Sequence, residues 1–113
     1  MHEASLAASI LDIAFDIAKE HKADKINSIK ILVGKLKAVD IDSLKFAFNA
    51  LKDGTIADKC ILYTKEVDIR IRCYSCKELS ILKEISMVCP LCASFDIEVL
   101  EGDEFLIKEM EVD

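Results

Sequence analysis

Apolar side chains recur with helical spacing in two stretches of the first half of the chain. In residues 4–21 they form two neighbouring rows, opposite a face that carries charged side chains. The rows consist of Leu6, Ile10, Ile13 and Ile17, and of Ala7, Leu11, Ala14 and Ala18. The spacing predicts an amphipathic helix in which the second row widens the stripe formed by the first. At its end, the imidazole of His21 meets the negative end of the helix dipole.

The second helical stretch has apolar residues at positions i, i+3, i+4 and i+7. These residues are Leu44, Ala47, Phe48 and Leu51. Asp40 or Asp42 can cap the start of this helix, because a carboxylate there accepts a hydrogen bond from an otherwise unpaired backbone N–H. Gly54 is the predicted stop signal.

Strand-like alternation of apolar and polar residues follows each predicted helix. One strand is predicted over residues 29–36 and a longer one over residues 61–72. The apolar face of the longer strand contains Ile61, Tyr63, Val67, Ile69 and Ile71. Residues 97–100 and a returning strand over residues 105–112 complete the pattern. If the returning strand pairs with residues 61–72, the cysteine-rich region between them is an insertion at the tip of a long hairpin.

This order of elements predicts an α+β fold, with two helices on a small, mostly antiparallel sheet. A four-cysteine, zinc-ribbon-like module is inserted before the last strand. The chain has 113 residues, which is enough for one domain with a small attached module. The predicted domains are residues 1–72 together with 97–113, and residues 73–96.

Charge is distributed unevenly along the chain, whose formal net charge is −6. Residues 1–72 carry 12 basic and 11 acidic side chains, whereas residues 73–113 carry 3 and 10. An acidic C-terminal third disfavours nucleic acid and anionic membranes as partners, because both require cationic surfaces. The N-terminus lacks the basic start and apolar run of a secretory signal. We therefore expect a soluble, cytoplasmic protein.

Two C-x-x-C pairs, separated by twelve residues, are the most specific motif in the chain. They consist of Cys73, Cys76, Cys89 and Cys92. Two tight turns of this kind can direct four thiolates at one ion, which indicates a closed structural metal site. Zinc is the default metal and iron, as in rubredoxin-like modules, competes with it. Disulfides are disfavoured in a reducing cytoplasm. Cys60 has no partner spacing and is expected to be a small buried apolar residue.

The N-terminal sequence Met1-His2-Glu3 indicates a second metal site. The Nδ1 atom of His2 can chelate a metal together with the backbone nitrogen of the same residue. The α-amine of Met1 or the amide of Glu3 can supply adjacent nitrogen ligands. A nitrogen-rich arrangement suits Ni²⁺ or Cu²⁺. The alternative is that this histidine has no metal-binding role.

These motifs together resemble the HypA/HybF family. The resemblance rests on the start Met1-His2-Glu3-Ala4-Ser5-Leu6, on Val33-Gly34-Lys35-Leu36 before Val39-Asp40, and on the paired C-x-x-C motifs. It covers essentially the whole chain. It implies a metallochaperone that helps to insert nickel into [NiFe]-hydrogenase, and in some bacteria into urease, together with the GTPase HypB. It also implies an α+β nickel domain with a zinc domain inserted near its end.

The resemblance also implies roles for individual residues. His2 becomes the essential nickel ligand, with its own backbone nitrogen and that of Glu3 nearby. Asp40 matches a position associated with the nickel site, although it can equally be a helix cap. The four cysteines match the zinc ligands. Two departures are visible: no histidine lies between Cys73 and Cys92, and neither C-x-x-C is followed by the glycine that is frequent in zinc knuckles.

The sequence thus predicts a metallochaperone and not an enzyme. It contains no nucleophile–base pair and no phosphate-binding glycine loop, so any GTP hydrolysis must come from a partner. Nickel is the transported cargo and zinc the structural metal. The expected partners are a HypB-type GTPase and the large subunit of [NiFe]-hydrogenase, or the urease system, and the expected state is a monomer or weak homodimer. The competing hypotheses are a rubredoxin-like electron carrier and a zinc-ribbon interaction module.

Overall fold

The computed structural model describes residues 2–113, and the elements found in them are of the predicted α+β class. The two helices are α1 (Glu3–Glu20) and α2 (Ile41–Leu51), and a short 3₁₀ helix occupies Lys35–Lys37. The strands are β1 (Ile26–Gly34), β2 (Ile61–Val67), β3 (Ile69–Cys73), β4 (Leu79–Leu82), β5 (Ile97–Glu101) and β6 (Phe105–Val112). In this part of the chain, no helix is both long and apolar enough to cross a membrane.

The strands form two three-stranded sheets and not one. The strand order is β2-β1-β6 in the first sheet and β4-β3-β5 in the second, where both pairings are antiparallel. The long strand predicted over residues 61–72 is therefore interrupted at Asp68, and its two halves belong to different sheets. The pairing of the last strand with this segment, which the sequence left open, does not form, because β6 lies beside β1.

The interruption at Asp68 also reverses which alternate residues of the segment are buried. In β2, Leu62 is buried, whereas Ile61 and Tyr63 are 55% and 51% exposed. In β3, Ile69 and Ile71 are buried. The sequence pattern predicts one common apolar face for these odd-numbered residues. The period of two holds only within one strand, so a break between strands allows the buried positions to shift from even to odd.

The chain divides into two compact units, the first of which comprises residues 2–32, 39–65 and 106–113. In this first unit, α1 packs against α2. The buried residues of α1 are Ala7, Ile10, Leu11, Ala14 and Ala18. The large residue Ile13, predicted to be in the stripe, is instead 52% exposed. Small side chains on the buried face allow the neighbouring backbone to approach closely, which explains why the alanine row faces the core.

The second helix contributes Leu44 and Phe48 to the core. Its C-terminal end differs from the sequence prediction in the exposure of one apolar residue and in the position of the glycine. Leu51 is the last helical residue and is 45% exposed. Gly54, with φ of +75°, lies in the turn that follows and not at the helix end.

The second unit comprises residues 33–38 and 66–105. Its apolar core is small: Ile69, Ile71 and Leu82 are buried, and Leu36, Ile97 and Val99 pack against them. The division into units describes compactness alone. The assignment of residues 1–72 with 97–113 to nickel, and of 73–96 to zinc, stays a prediction.

A close backbone crossing joins two segments of the second unit. The N–H of Gly34 donates to the carbonyl of Glu104 at 2.7 Å, and the N–H of Leu36 donates to that of Gly102 at 2.9 Å. A Cβ atom on Gly34 would lie 2.1 Å from the Gly102 oxygen. Only glycine therefore fits at position 34, which gives a structural reason for the glycine in the Val33–Leu36 motif.

Candidate metal centres

The four paired cysteines meet in the second unit. Cys73 is the last residue of β3, Cys76 lies in the turn that follows, and Cys89 and Cys92 lie in the turn before β5. All four Sγ atoms are within 4.8 Å of one another. The Cys73–Cys92 and Cys76–Cys89 sulfur pairs are 3.6 and 3.7 Å apart.

Each C-x-x-C forms a similar tight turn. The N–H of Lys77 donates to the carbonyl of Cys73 at 2.9 Å, and the N–H of Ala93 donates to that of Cys89 at 2.8 Å. The residue after the second cysteine has a left-handed backbone in both turns, with φ of +67° at Lys77 and +62° at Ala93. Glycine adopts this conformation without strain, and these two side chains do so at a cost. The glycine missing from the sequence motif is thus replaced by two residues that adopt the same geometry.

Hydrogen bonds link the two turns to each other. The hydroxyl oxygens of Ser75 and Ser94 are 2.9 Å apart, and the N–H of Tyr74 donates to the carbonyl of Asp96 at 2.9 Å. The Ser75–Ser94 contact was not predicted from the sequence. Its only sequence signal is that both serines lie two residues after a cysteine, at positions 73 and 92. These contacts hold the two turns, and with them the two pairs of cysteines, next to each other.

The electrostatics of the cluster favour a cation at its centre. The backbone N–H of Cys76 donates towards the Cys73 sulfur and lowers the pKa of that thiol to about 6. The backbone N–H of Ser94 favours the thiolate of Cys92. Desolvation and the neighbouring sulfur atoms outweigh it, however, and raise the pKa of Cys92 to about 12. Negative charge on one sulfur thus opposes ionisation of the others, and a bound cation removes this opposition.

The sulfur positions fit a four-coordinate metal ion. Four sulfur atoms at about 2.3 Å from a zinc ion form a tetrahedron with edges of about 3.8 Å, close to the two sulfur–sulfur distances given above. Four protein ligands leave no open coordination position, which is typical of structural sites. The cluster therefore fits a structural zinc site.

The N-terminal candidates lie at the beginning of α1, in the first unit. His2 is the N-cap residue, with an extended backbone and an exposed side chain, and its carbonyl accepts from the N–H of Leu6 at 3.1 Å. Its side chain does not cap the helix. The proposed amine ligand of Met1 lies outside the described residues.

Glu3 and Asp40 are brought together although 37 positions separate them. A carboxylate oxygen of Glu3 accepts from the backbone N–H of Asp40 at 2.9 Å, and this bond lowers the pKa of Glu3. Asp40 caps α2, since its Oδ1 accepts from the N–H of Ser43 at 3.1 Å. The cap that the sequence offered as one role of Asp40 is confirmed. The link from Glu3 has no sequence signal, because it depends on how α1 and α2 pack.

The remaining histidine and cysteine have local structural roles. His21 is the C-cap residue of α1, and its Nδ1 donates to the carbonyl of Ile17 at 2.9 Å. Cys60 is fully buried, and burial raises the pKa of its thiol. Both placements confirm the predictions for these residues.

The chain is similar to known proteins over its whole length. Residues 1–112 match the family described as "Hydrogenase/urease nickel incorporation, metallochaperone, hypA". The hydrogenase maturation factor HypA of Aquifex aeolicus is 32% identical over 113 residues, covering 100% of this chain and 98% of that protein. HypA of Azotobacter chroococcum is 31% identical, with 100% of both chains covered.

A solved structure has the same fold. The solution structure of the Ni metallochaperone HypA from Helicobacter pylori superposes with a TM-score of 0.72 at 23% sequence identity. The match covers 99% of this chain and 97% of that one. The α+β fold of this chain is therefore a known architecture. On the extent of the family match and the identity to its relatives, the chain belongs to the HypA family of nickel-incorporation metallochaperones for hydrogenase and urease.

Proposed function

We propose that this protein binds Ni²⁺ through His2 and passes it to [NiFe]-hydrogenase during maturation of that enzyme. The observation that carries this proposal is the hydrogen bond from the Asp40 backbone to the Glu3 carboxylate. It holds the start of α2 against the start of α1, directly beside the exposed His2. Two carboxylates thereby add negative charge to the end of the chain at which a divalent cargo ion is to bind.

The nickel ligands proposed are the imidazole and backbone nitrogen of His2, the amine of Met1 and the backbone nitrogen of Glu3. Nitrogen ligands of this kind match the preference of Ni²⁺. The exposed side chain of His2 suits a carrier, because a recipient protein can reach the metal and exchange ligands with it. Asp40 and the Glu3 carboxylate are proposed to lie close to the ion, with one oxygen of each already engaged by a backbone N–H.

The four cysteines are proposed to hold zinc, which stabilises residues 73–96. The apolar core of their unit is small, and metal binding in modules of this size is coupled to folding. Residues 1–72 and 97–113 are proposed to form the nickel-binding domain.

A role in hydrogenase maturation implies contact with the maturation machinery. The specific partners proposed are a HypB-type GTPase, which would hydrolyse GTP, and the large subunit of the hydrogenase, with the urease system as the other recipient. The proposed location is the cytoplasm, and the proposed state is a monomer or weak homodimer. Nucleic acid is not proposed as a partner, because the C-terminal third is acidic.

Nickel titration of three proteins with a native start tests the proposal. The chain contains only two histidines, so His21→Ala is a matched control for His2→Ala. The unchanged protein and the His21 variant should bind one Ni²⁺ per chain, and the His2 variant should lose this binding. A fourth protein, with a Gly-Ser extension before Met1, should bind more weakly if the amine is a ligand. Equal binding by the His2 and His21 variants would contradict the proposal.

A further inference from the structure

A cleft of about 300 Å³ lies between α2 and the start of β2, within the first unit. One wall consists of Lys45 and Asn49 of α2 and of Lys52, the C-cap residue of that helix. Their spacing of four and three residues places them on one helical face. Its other wall consists of Cys60, Ile61 and Leu62. None of these residues belongs to either metal centre.

The lining of the cleft is cationic, although the protein as a whole is acidic. It contains two ammonium groups and an amide but no carboxylate, against a net charge of −6 for the chain. Within the residues that the structure describes, the ion pairs involve Lys35, Lys37 and Arg70, and neither lysine of the cleft forms one. A group that enters the cleft therefore meets two ammonium groups that form no ion pair with the described residues.

One of the two ammonium groups is held in place. Lys52 Nζ donates to the carbonyl of Cys60 at 2.7 Å and lies 5.8 Å from the centre of the Phe48 ring. An ammonium group has three donors, so two remain for an anionic partner. Because Lys52 is already ordered, less side-chain entropy is lost when an anion binds.

The two elements that line the cationic cleft also carry exposed apolar side chains. Ile61, in its wall, is 55% exposed, and Tyr63, on the same side of β2, is 51% exposed. Phe46, next to Lys45 on α2, is 78% exposed. A free inorganic anion would require only the lysines. The exposed apolar side chains on α2 and β2 instead favour a protein partner, because contact with another polypeptide removes them from water.

The outer position of β2 suggests the conformation of the partner segment. β2 is an edge strand of its sheet, in the order β2-β1-β6. An edge strand has unpaired backbone N–H and C=O groups along one side, and an extended peptide can pair with them.

We propose that this surface, consisting of the Lys45–Lys52 cleft and the apolar residues Phe46, Ile61 and Tyr63, docks an extended acidic segment of a partner protein. A carboxylate of the segment lies between the two ammonium groups, and an adjacent apolar side chain packs on Ile61. The surface is independent of the proposed nickel site, since it shares no residue with it.

Titration of the ¹⁵N-labelled, zinc-loaded full chain with a blocked peptide of four Glu-Val repeats tests the proposal. The expected result is a set of amide shifts confined to residues 41–67, which contain α2, Lys52, Cys60 and β2. The Lys45→Glu variant should bind about tenfold more weakly, because repulsion replaces an ionic contact. Lys19→Glu, which makes the same charge change on α1 in the same unit, should bind normally. Nickel binding should be unchanged in both variants, so a failure here is distinguishable from a failure of the nickel site.

Two further probes separate an acidic peptide from a free anion. A peptide of four Gln-Val repeats should not bind, and inorganic phosphate should cause no shifts at Ile61 or Tyr63. Lys45→Gln, which removes charge without adding repulsion, gives a second measure if the Glu variant melts at a lower temperature. Each of four results would overturn the proposal: shifts mainly outside residues 41–67, an absence of shifts, identical shifts with phosphate alone, or binding of the peptide by the Lys45 variants as tight as by the unchanged protein.

Discussion

The four-cysteine cluster and the N-terminal site differ in how their parts are held. In the cluster, Cys73 and Cys89 are buried, a hydrogen bond between Ser75 and Ser94 links the two turns, and all four sulfur atoms lie within 4.8 Å of one another. At the N-terminus, His2 is exposed, and one hydrogen bond between Glu3 and Asp40 links the starts of two helices. Four protein ligands, two of them buried, favour retention of a metal, whereas an exposed ligand such as the one proposed at His2 favours its transfer. The cysteine cluster thus suits a structural metal, and the proposed N-terminal site suits delivery.

The largest effect is expected from the removal of one cysteine from the four-cysteine cluster. Cys73→Ser should lose zinc and unfold residues 73–92, because structural zinc contributes on the order of 10 kcal/mol to modules of this kind. The first unit should remain folded, since it has its own buried core. Zinc content and amide hydrogen exchange measure both outcomes. Cys60→Ala, at a buried cysteine outside the cluster, should keep zinc; stoichiometric zinc in the Cys73 variant would show that the cluster is not the site.

Acidification should release nickel from the protein while zinc stays bound. Imidazole and amine nitrogens must release protons to bind nickel, so nickel affinity should fall at least about tenfold from pH 7.5 to 6. Glu3 should not contribute in this range. Its pKa is lowered from 4.5 by the Asp40 N–H, so its contribution is complete above that value and is lost only as the pH falls below it.

Zinc should stay bound through the same interval, because no histidine lies between Cys73 and Cys92 to replace a thiolate. Metal content after dialysis at each pH measures both ions in one series. Loss of zinc before nickel would reverse the comparison and place the labile site at the cysteines.

A smaller effect on nickel binding and on Tm is expected from the loss of the Glu3–Asp40 hydrogen bond, which joins the starts of α1 and α2. Glu3→Ala removes the acceptor for the Asp40 N–H and should weaken nickel binding, with a modest fall in Tm. Glu3→Gln keeps an oxygen acceptor and should retain most of the Tm while still weakening nickel binding through the lost charge. Calorimetry with and without nickel distinguishes these effects. If both variants bind nickel normally, the link has no part in the site.

The smallest effect is expected at the strained turn of the cluster. Ala93 has φ of +62°, so Ala93→Gly should stabilise the protein by about 0.5–1 kcal/mol. Ala8→Gly, inside α1, should destabilise it by a similar amount. Denaturant unfolding of the zinc-loaded protein measures both changes, and a loss of stability in the Ala93 variant would show that the left-handed turn is not strained.

Local features of this protein were predictable from its sequence. The spacing of apolar residues predicted both helices, and the two C-x-x-C motifs predicted the cysteine cluster, because these patterns involve residues that are close in the chain. The same locality explains the cap at Asp40, which contacts a residue three positions away. The nickel-ligand role of His2 came from the family resemblance and stays a prediction.

Tertiary packing decided the features that depend on distant residues. Alternation alone could not show that a strand breaks at Asp68, because each half is a normal strand and only its neighbours reveal two sheets. The alternation also could not show that the Glu3 carboxylate accepts a hydrogen bond from the Asp40 N–H. Nor could it show that the Lys52 ammonium group donates to the Cys60 carbonyl. Each of these contacts joins elements whose relative positions are determined by the burial of apolar surface, and that burial is a property of the whole fold. The sequence by itself determined that the four cysteines could bind a metal. The packing of α1, α2 and β2 determined the surroundings of Glu3, Asp40 and Lys52.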